Sequence, residues 1–282
     1  LSYLLKWSDY VLNLDTRSHV MGVLNVTPDS FSDGGKYFDP EKAIAHGFSM
    51  AQAGADIIDV GGESARPYSR RISIREEIDR VVPVIETLKN ALSIPISIDT
   101  CKMAVAQAAV EAGASIINDI SALRYDPRMG GFAAEAGVPV ILMHMRGTPE
   151  NMQKNPSYEN LISEVIGFLK DAIDRSVRAG IKREQVLVDP GIGFGKTFDD
   201  NLEIIKQLCR FKVLQRPIVL GTSNKAFIGH ILKKEAHERD TGTMATVAAG
   251  VMNGAHIVRV HHVAKAVETV RIVDAIKRGR VI

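Results

Sequence analysis

Ten polar residues stand at the ends of short apolar runs along this chain: Asn25, Glu63, Arg66, Asp99, Asn118, His144, Asp189, Lys225, Arg259 and His261. Asp99, Asn118 and Asp189 offer acceptors to a flat ring rich in N–H donors, because a buried carboxylate needs such donors or a cation. Lys225, Arg259 and His261, with the turn at Asn25, suit an anion and its accompanying metal. No Ser/His/Asp nucleophile signature and no paired-histidine metalloprotease motif occurs. The chemistry implied is a heterocycle pocket beside a phosphate site. Taken singly, each residue has a plainer reading. An Asp after a strand is often a helix cap, and a lone His such as His144 is more often structural than catalytic. All eight runs ending in a polar group is what the plainer readings do not predict.

The apolar runs are strands at 19–26, 57–61, 96–99, 116–120, 138–144, 186–189, 218–221 and 257–261. Most are continuous rather than alternating, as parallel strands covered on both faces must be. Helical patterns separate them at 41–53, 74–92, 102–112, 129–136, 158–179, 199–211, 244–253 and 264–277. Gly54, Gly113, Gly137, Gly180 and Gly254 each follow a helical pattern and precede a strand, where a left-handed cap turns the chain back. Eight βα units predict a closed (β/α)8 TIM barrel forming a single domain over 1–282. A doubly wound sheet is the competing fold, but the first strand lacks a G-x-G-x-x-G turn. Residues 1–18 precede the first barrel strand and predict a hairpin over the barrel bottom. In such a barrel the strand C-termini form the active face, which is where the polar residues fall. Two loops there stand out. Residues 25–35 are rich in turn formers and have the length of a lid. Residues 189–196 carry three glycines, which let backbone approach a ligand.

Composition narrows the class. The chain has 282 residues, 45 % apolar and 24 % charged, with a formal net charge of +2. That balance fits a globular barrel and gives no nucleic-acid surface. The two cysteines, Cys101 and Cys209, have no zinc spacing and fit a reducing cytosol better than a disulfide scaffold. No signal segment or membrane-length apolar run is present, so the expectation is a soluble, cytoplasmic protein.

Several segments together resemble the dihydropteroate synthases of the pterin-binding enzyme family. They are MGVLNVTPDSFSDGG at 21–35, DVGGESARP at 59–67, SIDT at 97–100, IND at 117–119, Met143-His144, DPGIGF at 189–194, GTSNKAFIG at 221–229 and RVH at 259–261. The resemblance implies that Asp99, Asn118, Asp189 and Lys225 hold a pterin ring, with Met143, Phe194 and Gly221 lining its pocket. It implies Asn25, Arg259 and His261 around the pyrophosphate, with Asn25 helping to hold Mg²⁺. Phe31, Arg66, Pro67, Lys225 and Ala226 would surround p-aminobenzoate, and Lys225, Arg259, Asp99 and Asp189 would carry catalysis. The implied reaction joins a pterin pyrophosphate to p-aminobenzoate and releases pyrophosphate; a homodimer is also implied. The chain departs from the family's usual pattern at Asn224 (usually Arg), Ala226 (commonly Ser or Arg), His262 (usually Asp) and Ala65 and Tyr68 (commonly Thr and Gly). Two other readings remain: a pterin-binding methyltransferase acting on a corrinoid protein, and a non-catalytic pterin-binding homologue.

Overall fold

A computed structural model describes residues 3–27, 39–64 and 71–280. The expected p-aminobenzoate contacts Phe31, Arg66 and Pro67, and the expected lid beyond Thr27, lie outside the described residues.

Two short strands, β1 (Leu4–Trp7) and β2 (Tyr10–Asn13), pair antiparallel as a hairpin. Eight parallel strands follow: β3 (His19–Asn25), β4 (Ile57–Gly61), β5 (Ile96–Asp99), β6 (Ile116–Asp119), β7 (Val140–Met143), β8 (Val186–Asp189), β9 (Val219–Leu220) and β10 (Ile257–Val260). They pair in the order β8-β7-β6-β5-β4-β3-β10-β9. A single bridge, Val188 to Ile218, joins the two ends and closes the barrel.

The outer ring contains α1 (Pro40–Gln52), α2 (Ile74–Ala91), α3 (Met103–Glu111), α4 (Met129–Ala136), α5 (Leu161–Arg178), α6 (Phe198–Lys206), α7 (Ala226–Leu232), α8 (Asp240–Met252) and α9 (Val263–Arg278). Local chemistry sets their starts. Asp39 accepts the amides of Glu41 and Lys42, with Pro40 preset for the first turn. Ser73 and Asn160 cap α2 and α5, and Thr197 with Asp200 forms a reciprocal capping box on α6. All five glycines read as helix stops have positive φ.

Two differences from the sequence reading concern strand seven and its surroundings. The run at 199–211 is split, because α6 ends at Lys206 and a tighter 3₁₀ turn occupies Leu208–Leu214. The segment after Lys225 contains a helix of its own, α7, before the expected one, which begins earlier than predicted, at Asp240.

The interior is filled in layers. Met21, Ile57, Ile116, Ile141, Leu187, Val219 and Ile257 form the lower one, and Leu5, Trp7, Leu12 and Leu14 pack against them from below. Each fully buried aliphatic side chain contributes roughly 1.5–3 kcal/mol relative to exposure. A second, larger set of apolar residues, including Val20, Leu24, Ile58, Val60, Ile98 and Val188, joins strands to helices. With the bottom closed and apolar, polar side chains have the upper mouth as their outlet.

Candidate active site

Strand register fixes the first polar row. Asn25, Gly61, Asp99 and Asn118 are successive register partners on β3, β4, β5 and β6. Side chains in register on neighbouring strands point to the same face. Gly61 is the useful gap in this row. A Cβ there would lie 3.6 Å from the Asp99 Cβ and 3.9 Å from the Asn25 amide oxygen, so the absence of a side chain leaves room between the two.

An ion-pair network lies just beneath. Arg259 Nε donates to Asp59 Oδ2 at 2.6 Å, and its Nη2 donates to Asp99 Oδ2 at 2.6 Å. Asn118 Nδ2 donates to the same Asp59 oxygen at 3.0 Å. Asp59 is fully buried, while the Arg259 side chain keeps 22 % of its exposure. Burial raises the Asp99 carboxyl to about 7, against the pull of Arg259. Burial also works against the Arg259 charge, but Asp59 and Asp99 outweigh it and hold the guanidinium above its ordinary value.

Across the mouth, Asp189 ends β8 with its Oδ1 accepting the Gly191 amide at 2.7 Å. Burial raises its pKa; that amide and Lys225 oppose the rise. Gly221 lies between the walls, since a Cβ there would approach Arg259 Cβ at 3.9 Å and Asp189 Oδ2 at 4.0 Å. Lys225 Nζ sits over the Phe194 ring, 4.3 Å from its centroid. Burial and the nearby Arg259 pull Lys225 down to about 8, with Asp189 and Asp99 opposing. Met143 is buried in a small cluster with Met145 and Met152, and Phe194 packs on it. His261 Nδ1 lies 2.8 Å from Ser223 Oγ, at the ends of β10 and β9. Ala226 is exposed and begins α7 directly after Lys225.

The barrel thus brings Asp99, Asn118, Asp189, Gly221, Lys225, Phe194 and Arg259 to one mouth. Three other polar strand-end residues are used differently. Asp119 accepts the amides of Ser121 and Leu123, each at 2.8 Å, and so closes its own turn. Glu63 accepts the Ile72 amide at 2.8 Å and pairs with Lys102 at 3.2 Å. His144 is buried, with its ring edge-on to Phe168 at 4.8 Å. Asp59 was missed as a site residue in the sequence. It stands mid-strand in an apolar run, and only its charge inside that run could have flagged it.

Among the described residues no group of three or more His, Cys, Asp or Glu is placed to hold a metal. Among the described residues Asn25 offers an amide oxygen as a donor. That fits Mg²⁺, which keeps several waters and takes phosphate oxygens together with few protein ligands.

The family model described as "Pterin binding enzyme" matches residues 21–261. The dihydropteroate synthase of Bacillus subtilis (strain 168) is 46 % identical over 264 residues, covering 94 % of this chain and 90 % of that one. The enzyme of the same name from Clostridium beijerinckii is 47 % identical, covering 94 % and 97 %. A Yersinia pestis dihydropteroate synthase solved with a sulfonamide drug superposes with a TM-score of 0.93 at 42 % identity, over 98 % of this chain and 99 % of that one. A Xanthomonas albilineans dihydropteroate synthase in complex with 7,8-dihydropteroate gives a TM-score of 0.86 at 40 % identity, over 95 % and 97 %. With the barrel, the mouth and these relatives in agreement, the chain belongs to the pterin-binding enzyme family, among its dihydropteroate synthases.

Proposed function

We propose that the chain condenses 6-hydroxymethyl-7,8-dihydropterin pyrophosphate with p-aminobenzoate to give 7,8-dihydropteroate and pyrophosphate. The observation that carries this reading is the facing of Asp99 and Asn118 against Asp189 and Lys225 across one mouth, with Arg259 below. Asp99, Asn118 and Asp189 accept from, or donate to, the edge of the pterin, and Met143, Phe194 and Gly221 shape the slot. Arg259, held by two carboxylates, keeps a free face of its guanidinium for the leaving pyrophosphate, with His261 and Asn25 near the same rim. Asn25 would hold Mg²⁺ through its amide oxygen, and the ion would supply further charge neutralisation to the pyrophosphate. Asp99 and Asp189 stabilise positive charge that develops on the pterin side as the carbon–oxygen bond opens. Lys225 and Ala226, with Phe31, Arg66 and Pro67, flank p-aminobenzoate. Sulfonamides, one of which is bound in the Yersinia structure, compete for that place.

The same reading makes the enzyme a homodimer of the cytoplasm. Met252 on α8, Ile272 and Ile276 on α9, and Leu202 on the adjoining α6 are large, apolar and exposed, which supports a second copy of this chain as their cover. The free thiols of Cys101 and Cys209 support a reducing compartment.

Pyrophosphate release on mixing both substrates with Mg²⁺ is the test. A methyltransferase or a binding protein releases none, and either result would replace this proposal.

A further inference from the structure

The loop leaving β8, from Asp189 to Lys196, runs beneath the mouth in a backbone path that depends on glycine. Gly191, Gly193 and Gly195 have φ values of +71°, +83° and +64°. A Cβ at Gly191 would fall on the carbonyl oxygen of His144, and one at Gly195 would come within 2.6 Å of the Arg146 carbonyl oxygen. Several loop carbonyls are taken by side chains from neighbouring segments. Gln153 Nε2 donates to Gly193 O at 2.7 Å, and the Tyr158 hydroxyl donates to Gly195 O at 2.6 Å. Lys196 supplies the rest.

Lys196 is 2 % exposed. Its Nζ reaches the Gly191 carbonyl at 2.8 Å, the Phe194 carbonyl at 3.0 Å and His144 Nδ1 at 2.9 Å. Burial lowers the Lys196 pKa to about 7, with Asp189 opposing; in its charged form the ammonium has three N–H donors and no acceptor, so three acceptors at this range saturate it. The His144 ring can accept only when neutral. Burial, and then the Lys196 charge, push its pKa down to about 2, so the ring is neutral, and an ammonium donating to Nδ1 selects the tautomer with its proton on Nε2. The link onward to the site is short. The residue whose carbonyl Lys196 grips is Phe194, and the Phe194 ring lies under the Lys225 ammonium. Gly193, between the two gripped carbonyls, also borders Lys225, since a Cβ there would meet its Nζ at 3.2 Å.

We propose that Lys196, seated on His144, is a positioning residue for the transferase reaction: it locks the loop so that the Phe194 ring and the Lys225 ammonium meet the pterin in fixed register. This rests on the function proposed above. The assignment is specific to an ammonium. An apolar side chain of the same length leaves the Phe194 carbonyl and one imidazole nitrogen without this donor, and leaves the Gly191 carbonyl to the Phe194 amide alone. Lys196 itself touches no reacting atom; beyond its charge near Asp189, its contribution passes through Phe194.

A double-mutant cycle tests that route. Steady-state kinetics are measured on the full chain with pterin pyrophosphate, p-aminobenzoate and Mg²⁺, for Lys196→Met, Phe194→Ala and the pair. Urea midpoints and calorimetric titration with the pterin pyrophosphate alone are recorded for each. Lys196→Met is expected to lower kcat/KM for the pterin substrate roughly tenfold to a hundredfold, the scale of a lost buried charged hydrogen bond. The pair is expected to be little worse than Phe194→Ala alone. Lys196→Gln, which keeps two N–H donors on a side chain one bond shorter, should recover part of the loss, and it replaces Lys196→Met in the cycle should that variant not fold. Effects that multiply in the pair, or a Lys196→Met enzyme with unchanged kinetics, would overturn the proposal. A wild-type chain that binds the pterin but releases no pyrophosphate overturns the reaction instead, and the calorimetric cycle still decides the role of Lys196.

Discussion

At the scale of single residues, the site is a contest between burial and charge. Asp99 is raised to about 7 by burial, and Lys225 is lowered to about 8 by burial and Arg259. As a pterin acceptor, Asp99 must be ionised, so affinity falls as pH drops below about 7. Lys225 must be charged, so its contribution falls as pH rises above about 8. The profile of kcat/KM for the pterin substrate should therefore be a narrow bell, with its acid limb belonging to Asp99 beside Arg259 and its alkaline limb to Lys225. Lys225→Arg should remove the alkaline limb, whatever it does to the maximum; a limb that stays in place assigns it elsewhere. Asp99→Asn and Asp189→Asn should each weaken pterin pyrophosphate binding by about 1.5–3 kcal/mol, the worth of a hydrogen bond to a charged group. Calorimetry that finds both affinities unchanged would move the ring elsewhere. Asp99 and Asp189 were legible in the sequence because each sits just where an apolar run stops, and Lys225 because it follows such a run after a short turn. Asp59 was not, because it stands two residues inside such a run and because its partner Arg259 is 200 residues away. Sequence order carries no trace of that pairing; only barrel closure creates it.

At the scale of elements, strands and caps were readable and the region after β9 was not. The five glycines that end helices before a strand sit at the same place in their βα units, so their pattern survives without coordinates. Helix α7 has only seven residues, no side-chain cap and a glycine in its middle, which together give almost no helical signal. Its support is tertiary. The guanidinium of Arg239 occupies the space where a Gly229 Cβ would be, and its Nη1 donates to the Asn224 carbonyl at 2.9 Å. Asn224 has φ +57°, a left-handed backbone that Asn tolerates better than most residues, so the departure from the usual Arg suits this turn. Ala226, next in line after Lys225, is exposed rather than packed on the barrel wall, which leaves a hydroxyl there free to meet a ligand. Ala226→Ser should lower the KM for p-aminobenzoate by about tenfold at most, a neutral hydrogen bond being worth roughly 0.5–1.5 kcal/mol. The KM for the pterin should barely move. Steady-state kinetics showing a raised or equal KM for p-aminobenzoate would place its carboxylate away from this turn.

At the scale of the whole molecule, the barrel is closed at the bottom by its own hairpin and open at the top, and its sides are unevenly apolar. Ile272 and Ile276 on α9 are exposed at 65 % and 62 %. Sedimentation equilibrium should give a mass near twice 30.8 kDa, and Ile272→Glu with Ile276→Glu should reduce it to one chain. A wild-type monomer at micromolar concentration would dismiss the homodimer. The closure itself carries a further consequence. Seven of the eight joins around the barrel are ladders, and the eighth, between β8 and β9, is the isolated Val188–Ile218 bridge, with Val188 N donating to Pro217 O at 3.0 Å. Asp189 stands on one lip of that join, and Gly221 and Lys225 stand on the other. A pterin gripped from both lips therefore acts as a fastener across the weakest seam of the cylinder, and binding free energy becomes local mechanical strength there. Amide exchange at Val188, Val219 and Leu220 should slow on pterin binding far more than at Ile58 or Ile98, where the backbone is already laced on both sides. Equal slowing all round would mean that the ligand tightens the barrel without bridging its seam.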